Sequence, residues 1–178
     1  MSNDDISSKA IMRTARAANK RVAGREIREG SIVLGTAIVL IGSTVGPDWL
    51  HSPADPKTGT PSVAMDFSAL RVATEGGPSA VQTAYFGWLS WMLFVGVIVL
   101  GALTVRSASR LWAAAGLVAG LMALFFSVLA IKGPLTWSQT AETLPNIRLG
   151  GYMVLVGLSA MLVFSAFRLF APRTAPPR

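Results

Sequence analysis

Asp48, His51 and Asp55 stand in the order D-x-x-H-x-x-x-D. Imidazole with carboxylates is the donor chemistry that holds a zinc ion. Pro53 interrupts the stretch, and a proline inside a helix removes a backbone hydrogen bond, so one regular helix does not present all three side chains together. The set reads as an ordinary polar loop, and no metal ligand is assigned. His51 is the chain's one histidine, and there is no cysteine. That excludes a disulfide framework, a thiolate metal site and a cysteine nucleophile. Ser31, Ser43, Ser90 and Ser127 have no base at a recognisable motif spacing, and no glycine-rich phosphate loop is present. No catalytic residue and no cofactor are assigned, and the chain is expected not to be an enzyme. An enzyme working through Asp48 and His51 stays only as a distant third reading.

The elements around these residues are apolar. The chain has 178 residues, 52% of them hydrophobic and 14% charged, with mean hydropathy +0.51. A soluble domain carries about 25% charged residues. A helix needs roughly 20 apolar residues to cross the hydrocarbon of a bilayer. Four such runs are expected as spans, at about 31–46, 85–105, 111–131 and 151–170. Their cores hold no acid and no lysine, and Arg168 lies close enough to an end to snorkel. The expected fold is an all-α membrane protein. It is a four-helix transmembrane bundle (31–171) with an amphipathic N-terminal arm (1–30), outer loops at 47–84 and 132–150, and a tail at 172–178. The first span has a long basic lead and no A-x-A cleavage site, which favours a retained anchor over a signal peptide.

Basic residues near the span ends set the orientation. Lys9, Arg13, Arg16, Lys20, Arg21, Arg25 and Arg28 precede the first span; Arg106 and Arg110 flank the second link; Arg168, Arg173 and Arg178 end the chain. Only Lys57, Arg71, Lys132 and Arg148 fall on the other side. Twelve against four puts both termini in the cytoplasm of a plasma (inner) membrane. The net charge of +7 therefore reads as a membrane-surface signal, and nucleic acid is not expected.

Lys9, Arg13, Arg16 and Lys20 share one face of a helix over 6–24, opposite Ile11, Ala15, Ala18 and Val22. Arg13, Arg16 and Lys20 are the expected contacts to anionic phospholipid headgroups or to a partner subunit. A topology signal with no further role is the plainer alternative. In the first outer loop Val63, Met65 and Phe67 alternate, which predicts a short strand. Pro78 and Ser79 read as the start of a helix leading into the second span. Trp49 and Phe67 are candidate anchors on lipid or on another protein; for Trp49 an interfacial belt role is the plainer reading. Tyr85, Trp88, Trp91 and Trp112 also fit aromatic belts. Trp88 and Trp91 share a face able to bracket a lipid or a partner helix. Gly116 and Gly120 form a G-x-x-x-G in the third span, as Gly42 and Gly46 do at the end of the first. Small faces let helices approach, either within the chain or against a partner.

Two helical hairpins, a long first outer loop, the tight RSASR turn and both ends inside resemble the claudin layout in topology. The W-GLW-C-C signature of claudins is missing, since Trp49 has no GLW after it and there is no cysteine. The Ala/Gly/Val/Arg-rich usage and the tail APRTAPPR resemble small four-helix accessory proteins of actinobacterial envelope complexes, such as those of Mce-type lipid importers. That resemblance implies a non-catalytic accessory subunit bound to other integral membrane subunits of a lipid transporter. An accessory subunit of a respiratory supercomplex and a small self-associating transporter or channel are the alternatives. No repeat relates the two halves, which counts against an inverted-repeat transporter.

Overall fold

The computed structural model describes residues 24, 26–54, 56, 59–107 and 109–171. Three helices are long and apolar enough to cross a membrane: Ala80–Arg106, Arg110–Lys132 and Leu149–Phe170. They match three of the four expected spans. The first run is helical over 26–42 (α1), three residues short of the Val45 reached by its apolar pattern. Hydroxyls end it: Ser43 donates to the Leu40 carbonyl at 2.6 Å and Thr44 to the Ile41 carbonyl at 2.7 Å. They take up carbonyls that a helix end leaves unpaired. Gly46, at φ +103°, and Pro47 then turn the chain.

The region after α1 is more structured than a loop. Strand β1 (Leu50–Ser52) pairs antiparallel with β2 (Val63–Met65), Leu50 opposite Met65 and Ser52 opposite Val63. The predicted alternation holds through Met65 and fails at Phe67. Asp66 accepts from the Ala69 N–H at 2.7 Å and starts a helix, α2 (Phe67–Thr74). Phe67, Leu70 and Thr74 share its buried face. The Thr83 hydroxyl donates to the Thr74 carbonyl at 2.6 Å and ties α2 to the next helix.

Ser79 caps that next helix, as its sequence predicts. It runs as α3 (Ala80–Ala84), a π-turn (Tyr85–Leu89) and α4 (Ser90–Arg106). A π-turn carries one extra residue per turn, and at this widened turn the adjacent Tyr85 and Phe86 are both fully buried. Ser109 caps α5 (Arg110–Lys132), which stops at Gly133 with φ +55°. The loop after α5 holds α6 (Trp137–Thr143), opened by a capping box between Thr136 and Gln139, and a 3-10 turn (Leu144–Asn146). Helix α7 (Leu149–Phe170) is the last helix among the described residues.

Helix α5 packs between α4 and α7. Its buried residues are Ala113, Gly116, Gly120, Ala123, Ser127 and Ala130. They recur every three or four positions and form one small-residue stripe. A methyl on Gly120 would lie 2.9 Å from Leu162 Cδ2, and one on Gly116 would lie 3.0 Å from Ser165 Oγ. Such backbone-close contact is van der Waals in origin and needs no hydrophobic drive. Helix α1 leans on α7 and α4: Leu40 sits on Gly157, and Val33 beside Gly101.

Candidate functional site

Two features stand out, one at each end of the bundle. The end that carries the two long loops is closed by aromatic rings. Trp49 is only 1% exposed. Its ring meets Phe67 at 5.4 Å, Phe86 at 5.5 Å and Tyr85 at 6.3 Å between centroids, all edge-on. Edge-to-face pairs add about 0.5–1.5 kcal/mol each beyond burial. The indole N–H, costly to bury unpaired, donates to the Ser43 carbonyl at 2.6 Å. Tyr85 reaches down to Ser127 at 2.7 Å, and Ser127 donates onward to the Ala123 carbonyl at 2.7 Å.

Backbone bonds lock this cluster to the far end of the chain. The Trp49 N–H donates to Met65 O at 2.8 Å, the Arg148 N–H to Trp49 O at 2.8 Å, and the Gly150 N–H to Asp48 O at 2.8 Å. Leu50 also bridges to Ile147. The loop after α1 and the loop after α5 therefore form one cap. Gly150 lies against the Trp49 ring, where a Cβ would sit 2.7 Å from the indole nitrogen and 2.9 Å from Pro47 O. No other residue type fits there unstrained.

The other end is ionic. Arg168 donates to the Thr104 carbonyl at 2.8 Å and pairs with Glu29 at 3.4 Å. The two side chains are 20% and 11% exposed. The pair joins the start of α1 to the end of α7 through the last turn of α4. The sequence predicts that Arg168 snorkels alone; in the fold Glu29, outside the apolar run, holds it inward. Beside the pair a groove of about 870 Å³ opens between α1 and α7.

The candidate residues separate accordingly. Trp49 and Phe67 are buried in the cap, so neither is available to lipid or to a partner; a tryptophan's type gives its preference for interfaces and says nothing of a loop folding over it. Tyr85 likewise faces the interior and is not a belt residue. Gly116 and Gly120 face α7 within the chain. Trp88, in the π-turn, and Trp91, on α4, are 56% and 40% exposed, and Trp88 borders a second groove with Arg71 and Glu75. Arg13, Arg16 and Lys20, with the whole amphipathic arm up to 23, lie outside the described residues. His51 sits in β1 opposite Ala64, and Asp48 lies just before that strand. Among the described residues no three His, Cys, Asp or Glu side chains come together as a metal site; Asp55 lies outside them. The sequence signals missed were the Asp66 cap, the three-and-four spacing of Phe67, Leu70 and Thr74, and the Gly150–Gly151 pair that admits the indole.

No protein family, curated protein or solved structure matches the chain. Its function is read from the geometry of the cap and of the ionic end.

Proposed function

We propose that this is a four-span protein of the plasma (inner) membrane with both termini in the cytoplasm, and that it serves as a non-catalytic accessory subunit of a larger membrane complex. Helix α1 would be the fourth span. Its 17 helical residues cover about 25 Å at 1.5 Å each, and the turn to Val45 adds the remainder. Its contacts with Gly157 and Gly101 keep it alongside the other three.

The observation that carries the subunit reading is where the bundle spends its surface. The interior is filled by side chains and stoppered by the Trp49 cluster, which speaks against a solute path through it. Only 28%, 28% and 33% of the three apolar windows are buried within the chain, so most of each span faces lipid or other helices. The described ionic side chains of the spans lie at their ends, where a proton or ion relay would need them inside. Among membrane complexes, an envelope lipid transporter is favoured by the resemblance in layout and composition to its small accessory subunits.

Isolation of the full chain in mild detergent tests this. A defined set of other integral membrane proteins should co-purify in fixed ratio. A monomer with no membrane partner would overturn it, and solute flux through liposomes holding the protein alone would favour a channel instead. The chain has no cysteine, so single cysteines report topology cleanly. Ser109→Cys should label only from the cytoplasm and Val72→Cys only from outside.

A further inference from the structure

The groove between α1 and α7 has one basic end and one apolar end. Arg28 and Arg168 stand at the first; Ile32, Ala160, Val163 and Phe164 line the second. Ala160 to Phe170 covers about 15 Å of α7 at 1.5 Å per residue. That is close to one leaflet of hydrocarbon, about half of 30 Å. The volume of about 870 Å³ falls within the usual range for small ligands, about 300–1,000 Å³.

The charges decide the occupant. Glu29 would repel an anion, but Arg168 lies against it at 3.4 Å and offsets its charge. Arg28 is exposed on the same rim and has no acidic partner within ion-pair distance among the described residues. Its guanidinium presents the planar fork that grips phosphate oxygens in pairs. A partner helix would fill the apolar walls but has no use for that free cation. A free phosphate would use the cation and leave the walls uncovered.

We propose that this groove binds one anionic phospholipid of the cytoplasmic leaflet, its phosphate on Arg28 and an acyl chain between Ile32 and Val163. The assignment rests on the four-span reading for its depth and leaflet. It holds whether or not the chain is a subunit of a larger complex.

The test is native mass spectrometry of the full chain in detergent, with phosphatidylglycerol and phosphatidylcholine of matched acyl chains. One phosphatidylglycerol should be retained under conditions that strip phosphatidylcholine. Loss of one charge-assisted contact should weaken retention about tenfold in Arg28→Gln. Ala160→Trp, which fills the apolar end and leaves the charges in place, should weaken it comparably. Arg148→Gln, at the opposite end, should leave it unchanged. Equal retention of the two lipids would overturn the proposal, as would phosphatidylglycerol binding unaffected by Arg28→Gln. Binding lost in Arg28→Gln but unchanged in Ala160→Trp would mean phosphate recognition without a lipid site, and would overturn it too. Failure of the topology reading would appear separately, as Ser109→Cys labelled from outside.

Discussion

Adding one methyl group at Gly150 should loosen the outer cap. The new carbon would lie 2.9 Å from Pro47 O and 2.7 Å from the indole nitrogen of Trp49. Pro47 O is backbone, and the ring is held by its bond to Ser43 and by three neighbouring aromatics. Neither gives way cheaply. Overpacking of this kind costs about 1–3 kcal/mol. Alanine returns up to about 1 kcal/mol over glycine in a helix interior, but Gly150 is the second residue of α7, where the gain is smaller. A net loss of about 1–2 kcal/mol is expected. For a chain of this size that lowers Tm by about 2–4 °C per kcal/mol. Gly42→Ala is the control, since its methyl would meet only Met153 Cε at 3.5 Å, an ordinary contact. The assay is thermal unfolding in mild detergent, followed by tryptophan fluorescence and by trypsin cleavage of the outer region. Trp49→Ala, itself costing about 3–5 kcal/mol, should absorb part of the Gly150→Ala penalty, so that the double variant is less destabilised than the two single losses together. A Gly150→Ala protein as stable as Gly42→Ala would refute the seating of the indole on α7.

Three other perturbations have outcomes set by the geometry. Arg168→Gln or Glu29→Gln alone should cost about 2–3 kcal/mol, below the range of about 3–5 for a wholly buried pair, because both groups keep some solvent; changing both should cost less than the single losses combined, measured by the same unfolding. Ser127→Ala should cost more than Tyr85→Phe: the first strands a buried phenol, at about 1–3 kcal/mol, while the second leaves Ser127 bonded to Ala123 O and costs about 1 kcal/mol. The Ala69 N–H and then the Ser68 hydroxyl hold the Asp66 carboxyl below its usual value of 3.8. Its contribution to α2 is therefore complete above that value and lost as pH falls through the lowered one; amide hydrogen exchange across α2, followed by mass spectrometry, should lose protection there, and Asp66→Asn should remove that pH dependence.

How much was readable in advance depended on the range of the interactions. The spans at 85–105, 111–131 and 151–170 followed from hydropathy and length, because a bilayer asks only for an apolar run and internal hydrogen bonds. Ser79 as a cap and Val63–Met65 as a strand were local and also legible. The outer cap was not. Nothing within ten residues of Trp49 says that Arg148 and Gly150 will close over its backbone and ring. A tryptophan beside an apolar run has the same type whether it faces lipid or Phe86. Glu29 was missed as a partner for the opposite reason: charge counting near the span ends treats acids as minor, and its pairing with Arg168 depends on a residue contributed by another helix.

The bonds from Trp49 and Asp48 to Arg148 and Gly150 also impose an order of events. The hairpin emerges early in synthesis, but the residues that cover it belong to the last span. At about 5–20 residues per second, the intervening chain takes on the order of 5–20 s to make. Through that interval Trp49 lacks its contacts with Arg148 and Gly150. A chain stopped before α7 would carry α1 to α6 with the Trp49 ring uncovered on the side that Gly150 closes. The closed cap is thus a mark of a finished molecule.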